Sequence, residues 1–137
     1  MELTGCDLDG IPQRNLRVPV VEFARLWVAA EQAYDRDKTW TAYGVVETCR
    51  WLAGAQVRLS DGKTFLAYAP VTERIGLAYQ EVIAAECLEA EKLLFRDPMP
   101  QYLRNRPGWL NAVVATLAWA WRCSGKPPIE VPAHVQG

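Results

Sequence analysis

From Pro19 to Tyr34 the apolar residues recur every three to four positions, with Val20, Phe23, Ala24, Trp27, Ala30 and Tyr34 on one side. That spacing predicts a first main helix with one buried stripe. Asp35-Arg36-Asp37-Lys38 forms a polar break, after which Thr39 is placed to cap a second helix running to about Ala53, where Gly54 stops it. Gln56–Leu59 and Thr64–Tyr68 flank Ser60-Asp61-Gly62-Lys63, which reads as a β-hairpin with Gly62 in the left-handed position. The longest helix is predicted over Glu73–Phe95 behind a Thr72 cap, and Asp97-Pro98-Met99-Pro100 breaks it. A short helical piece, Gln101–Arg104, follows. Pro107 then fits the first turn of a fourth main helix, Leu110–Cys123, which Gly125 and Pro127-Pro128 end.

The pattern predicts a mainly α chain of α+β class. It is a compact bundle of about four helices with one β-hairpin between the second and third main helices. The 137 residues fit a single helical domain, 1–137, with a short N-terminal arm over 1–16 and an extended C-terminal tail over 126–137.

Two of these helices carry more apolar surface than one face requires. The fourth places Trp109, Leu110, Val113, Val114, Leu117, Ala120 and Trp121 on a broad face. Ala112, Ala115, Thr116 and Trp119 lie opposite, so Trp119 is expected to project over a shallow floor of alanines. The second helix has Ala42, Val45, Val46, Cys49, Leu52 and Ala53 on one face, and Trp40, Tyr43, Gly44 and Trp51 on the other. Either the hairpin and the tail cover these second faces, or another protein does. On the latter account Trp119, Ala112, Ala115, Trp40, Tyr43 and Trp51 are the candidate contact residues.

Two carboxylates interrupt apolar stripes. In the third helix Glu86 stands amid Ile75, Tyr79, Val82, Ile83, Ala90, Leu93 and Leu94, and in the first helix Glu31 stands between Trp27, Val28 and Tyr34. A buried carboxylate needs a partner or a function. Arg25, Arg50 or a tyrosine hydroxyl is the expected structural partner, and acid–base chemistry is the functional alternative. A helical metal centre does not fit, because Glu86 is followed at the required spacing by Glu89 and the only histidine, His134, is in the tail. No metal and no cofactor are indicated.

Composition narrows the classes. Net charge is −1, and Lys and Arg are scattered, so the basic stripe of a nucleic-acid binder is missing. A DNA-binding regulator reading through the second helix is a further alternative, but that helix offers aromatic and acidic groups where a reader shows basic and amide ones. No apolar run is long enough for a membrane span, and Met1–Asp7 lacks the character of a secretory signal. A cytoplasmic location is expected. Cys6, Cys49, Cys87 and Cys123 are too dispersed for a metal knuckle or redox pair. Phosphate-loop, nucleophile-elbow and zinc-protease motifs are absent.

Arg106-Pro107-Gly108-Trp109 with the tryptophan-rich helix after it, together with Thr48-Cys49-Arg50-Trp51-Leu52-Ala53, resembles small uncharacterised proteins of actinobacteria and their phages. The resemblance covers Gly44 to Pro128 and implies no activity and no site residues. It implies a setting in which small phage-borne proteins bind a host or toxin protein. The leading expectation is a non-enzymatic protein-interaction domain, acting as a homodimer or as an inhibitor, antitoxin, immunity-type or phage accessory partner. The rival is a small-molecule binder or enzyme with an aromatic pocket on the second helix, where Gly44 leaves room for a ligand between Trp40, Tyr43, Glu47 and Trp51.

Overall fold

Two apolar helices form the middle of the molecule and two amphipathic ones close its sides. The computed structural model describes residues 1–131 and carries α1 (Gly5–Asp9), α2 (Val20–Arg36), α3 (Trp40–Ala53), the strands β1 (Gln56–Arg58) and β2 (Thr64–Leu66), α4 (Gln80–Leu94), α5 (Gln101–Arg104) and α6 (Trp109–Arg122). The chain is mainly α with one antiparallel hairpin, in which Gln56 pairs with Leu66, Val57 with Phe65 and Arg58 with Thr64.

The principal helix contacts are α2 with α3, α3 with α6, and α6 with α4. The four long helices therefore stand in the order α2, α3, α6, α4. The two inner members each need apolar groups on two sides, which is why α3 and α6 are apolar nearly all round. Among the described residues this corrects the expected cover, since α2 and α4 make the principal helix contacts with the two inner helices and the hairpin makes fewer. Trp51 and Trp119, expected to project, are 1% and 7% exposed. Trp121, expected in the core, is only half-buried and carries the Arg17 guanidinium 4.1 Å above its ring.

The α3–α6 crossing is close because small residues meet there. A Cβ added at Gly44 would lie 2.7 Å from the Trp109 carbonyl oxygen and 2.9 Å from the Ala112 Cβ. Gly44 thus makes room for a neighbouring helix, not for a ligand, and Ala112 is buried opposite it. Thr48 and Thr116 are buried on the two helices and return their hydroxyls to the carbonyls of Gly44 and Ala112 at 2.8 and 2.7 Å. Neither hydroxyl is left unsatisfied by its burial.

The start and end of α3 follow the sequence signals. Thr39 Oγ1 accepts the Ala42 N–H at 3.1 Å, and Gly54 ends the helix at φ 65°. By contrast α4 begins seven residues later than expected. Glu73 and Gly76 adopt positive φ, 59° and 118°, so residues 70–79 form a loop, Thr72 does not cap a helix, and Ile75 and Tyr79 stand exposed instead of joining the stripe. Glu86 holds that loop. It accepts the Val71 and Thr72 N–H groups at 2.6 and 3.1 Å and the Thr72 hydroxyl at 2.7 Å. Its partners are backbone and hydroxyl, not the arginine or tyrosine expected.

The N-terminal arm is more ordered than its sequence indicates. Thr4 and Asp7 form a reciprocal capping box on α1, and the buried Asn15 side chain donates to the carbonyls of Leu52 and Ala78 at 3.0 and 3.1 Å. Pro107 lies in the turn before α6 rather than in its first turn, and Gly108 takes φ 83° at the N-cap. Residues 124–131 form no helix or strand, while Ile129 and Val131 pack partly against the core. His134 and the rest of the expected tail lie outside the described residues. Among those described, no helix is long and apolar enough to cross a membrane.

Candidate functional site

Tyr43, Glu47 and Arg50 are spaced four and three residues apart on α3, so their side chains line one stripe. The hairpin lies over that stripe. Val57 comes from β1, while Phe65, Ala67 and Tyr68 come from β2 and the segment after it. Together these residues surround a recess of about 40 Å³.

The floor of the stripe is fixed by charge. Arg50 donates Nε–H to Glu31 Oε2 at 2.8 Å and Nη2–H to Glu31 Oε1 at 2.9 Å, a two-pronged bond that ties α3 to α2. Trp27 adds its indole N–H to Glu31 Oε2 at 3.1 Å. Arg50 is thus the partner that the sequence places among three candidates for Glu31. The Met1 ammonium stands 3.4 Å from Oε1 as well, so Glu31 is a satisfied structural carboxylate, and truncating Arg50 would remove its two-pronged partner and leave only the Met1 ammonium as counter-charge.

Glu47 is in a different state. Its Oε1 accepts the Trp109 indole N–H at 2.8 Å, and among the described residues its Oε2 takes no hydrogen bond and the carboxylate has no ion-pair partner. Burial pushes its carboxyl above the ordinary value of 4.5, with the Trp109 bond and the Arg106 and Arg50 charges pulling the other way. Tyr43, beside it, is pushed up to about 12, chiefly by burial and then by the Glu47 charge. Among the described residues the Glu47 carboxylate is hydrogen-bonded to the Trp109 indole and to no titratable side chain.

Around the recess the rings are ordered against one another. Tyr43 lies 5.3 Å from Tyr34 and meets Trp40 edge-on at 6.1 Å, and Phe65 stacks with Tyr68 at 6.4 Å. Cations already sit on several of them. Lys38 stands 4.3 Å above Tyr34, and Arg106 lies between Trp40 and Trp109 at 5.2 and 5.1 Å, with Tyr102 at 5.8 Å. Trp40, Phe65 and Tyr68 remain 38%, 40% and 39% exposed. The outcome is an aromatic face built from the N-terminal half of α3, the hairpin and α5.

The sequence-derived candidates separate accordingly. Trp40, Tyr43 and Glu47 belong to this face. Gly44, Trp51, Ala112 and Trp119 are interior, so their expected availability to a partner or ligand is corrected by the packing of α3 and α6. Ala115 is half-buried and lines a groove of about 780 Å³ between α6 and residues 124–131. Glu31 and Glu86 are buried and fully hydrogen-bonded, as described. Phe65, Tyr68 and Arg106 were missed as members of this face, and Arg50, expected as a carboxylate partner, was not expected to line the recess. The four- and three-residue spacing of Tyr43, Glu47 and Arg50, and the alternation that puts Phe65 and Ala67 on one side of a strand, carry the signal for part of the set.

Among the described residues no group of three or more His, Cys, Asp or Glu side chains is placed to hold a metal ion. The chain matches no known family model, no curated protein and no solved structure.

Proposed function

We propose that this chain is a non-enzymatic protein-interaction domain whose contact surface is the aromatic face of α3, α5 and the hairpin. It acts as a homodimer or as an inhibitor, antitoxin, immunity-type or phage accessory partner. The observation that carries this reading is the ordered set of exposed rings, Trp40, Phe65 and Tyr68, set around Tyr43 and accompanied by Arg106. Tryptophan, tyrosine and arginine are the residues that dominate binding energy at protein interfaces. Ile75, Leu77 and Phe95 are also exposed, but they stand on a loop and a helix end without such ring contacts, and scattered apolar side chains are ordinary on a protein surface.

Size favours a protein over a small molecule here. Ligand pockets commonly hold roughly 300–1,000 Å³, whereas the recess beside Glu47 holds about 40 Å³. It admits the tip of a side chain. All four cysteines are free thiols, which fits a reducing compartment such as the cytoplasm.

Two exposed-site variants test the reading, Phe65→Ser combined with Tyr68→Ser, and Ile75→Ser as the control. Self-association is followed by sedimentation velocity, and partner capture from the native host by mass measurement of the complex. Loss of association in the first variant alone supports the aromatic face. Equal association in both variants overturns it.

A further inference from the structure

We propose that the recess beside Glu47 is a docking site for the ammonium tip of a lysine side chain on a partner protein; this rests on the reading of the aromatic face as a contact surface. Three independent observations converge on that occupant.

The first is the carboxylate. Glu47 is half-buried, only its Oε1 is bonded, to the Trp109 indole, and no cation of the described residues pairs with it. A partly buried carboxylate with one oxygen free gains most from a donor that also brings a positive charge. Arg50 lines the same recess but does not fill that role, because both of its bonded nitrogens are turned to Glu31. Arg50 and Arg106 favour the Glu47 carboxylate through their charge alone, and neither donates a hydrogen bond to it.

The second is the lining. Tyr43, Phe65 and Tyr68 surround the recess, and an aromatic face attracts a cation through its quadrupole. Elsewhere on this surface the chain seats its own cations on rings, Lys38 on Tyr34 and Arg106 on Trp40, Tyr102 and Trp109. Among the described residues no such cation stands over Tyr43, Phe65 or Tyr68.

The third is volume. A cavity of about 150 Å³ holds a benzene ring, so a recess of about 40 Å³ takes a small side-chain tip rather than a ring. A compact ammonium suits this space better than a broad planar guanidinium. A lysine provides a compact charge on a flexible apolar stem, whose methylenes would lie against the rings at the mouth.

The test titrates the ¹⁵N-labelled full chain with acetyl-Gly-Lys-Gly-amide while the Trp109 indole N–H resonance is followed, with norleucine and arginine peptides as comparisons. The expected result is a saturable shift with the lysine peptide and about tenfold weaker binding of the other two. Glu47→Gln keeps an oxygen for the indole and should lose the preference for lysine. Tyr68→Ala, at a half-exposed position, should weaken lysine binding with the carboxylate intact. No saturable shift, equal binding of the three peptides, or undiminished lysine preference in Glu47→Gln would each overturn the proposal. Should the lysine peptide fail while Phe65→Ser with Tyr68→Ser still abolishes association, the ammonium site falls and the contact surface stands.

Discussion

Gly44 and Ala112 meet at the crossing of α3 and α6 so closely that a Cβ on Gly44 would stand 2.9 Å from the Ala112 Cβ and 2.7 Å from the Trp109 carbonyl oxygen. This contact also sets the position of Trp109, whose indole N–H reaches Glu47 one turn further along α3. The interior crossing and the surface recess are mechanically linked.

Gly44→Ala is therefore destabilising, even though alanine is the better helix former by about 1 kcal/mol. The added methyl group meets backbone, which cannot step aside like the end of a flexible side chain. Overpacking of this kind costs about 1–3 kcal/mol. Chemical denaturation should show a lowered midpoint with little change in slope. A variant as stable as the parent contradicts the close crossing.

Arg50→Ala leaves Glu31 buried without its bidentate partner. Breaking a buried pair on one side costs about 3–5 kcal/mol, and the Met1 ammonium that remains 3.4 Å from Glu31 Oε1 holds the loss to the lower end. A Glu31→Gln, Arg50→Met double variant, which removes both charges and keeps the volume, should recover much of that loss. Equilibrium unfolding of the variants checks both statements, and a loss below about 1 kcal/mol in Arg50→Ala would place the pair with weak surface bridges.

Glu47 gives a pH dependence of defined sign. Burial raises its carboxyl above the ordinary 4.5, so the folded state holds the proton more firmly than the unfolded one. Stability from this group is greatest below the unfolded value and falls as the pH rises through the window above it. Glu47→Gln has no such loss. The melting temperature of the variant minus that of the parent should therefore increase from about pH 4 to pH 7. A difference that stays flat or shrinks over that range contradicts the assignment.

The thiols divide into two pairs. Cys6 and Cys123 are exposed, while burial pushes the Cys49 thiol far up and that of Cys87 up to about 11. Reaction of the folded protein with an aromatic disulfide reagent should label two thiols promptly and the remaining two only on unfolding. Prompt labelling of Cys49 or Cys87 would mean that α3 or α4 opens readily.

Local signals were readable wherever a short-range device decides the backbone. Thr39 and Gly54 mark the ends of α3 because the cap and the left-handed stop act within a turn, and Ser60–Lys63 marks the hairpin for the same reason. Tertiary contact decides where reading failed. Residues 73–79 have helical spacing, but Glu86 draws the Val71 and Thr72 amides into a loop, and Glu73 and Gly76 take positive φ. The doubled apolar faces of α3 and α6 were visible in the sequence. Their cause, two inner helices in a row of four, depends on helix order and was not. For the same reason Trp119 went inside while Phe65 and Tyr68, on a three-residue strand and just beyond it, emerged as the exposed rings.

The aromatic face is tested most directly by hydroxyl-radical footprinting of the chain inside its native host, compared with the dilute purified protein. Exposed rings and aliphatic side chains oxidise unless something covers them. The account predicts protection of Trp40, Phe65 and Tyr68 in the cell, with Ile75, at 88% exposure, and Phe95 oxidised equally in both samples. Protection centred on Ile75 and Phe95 with the aromatic face unchanged, or no protection at all, would contradict it.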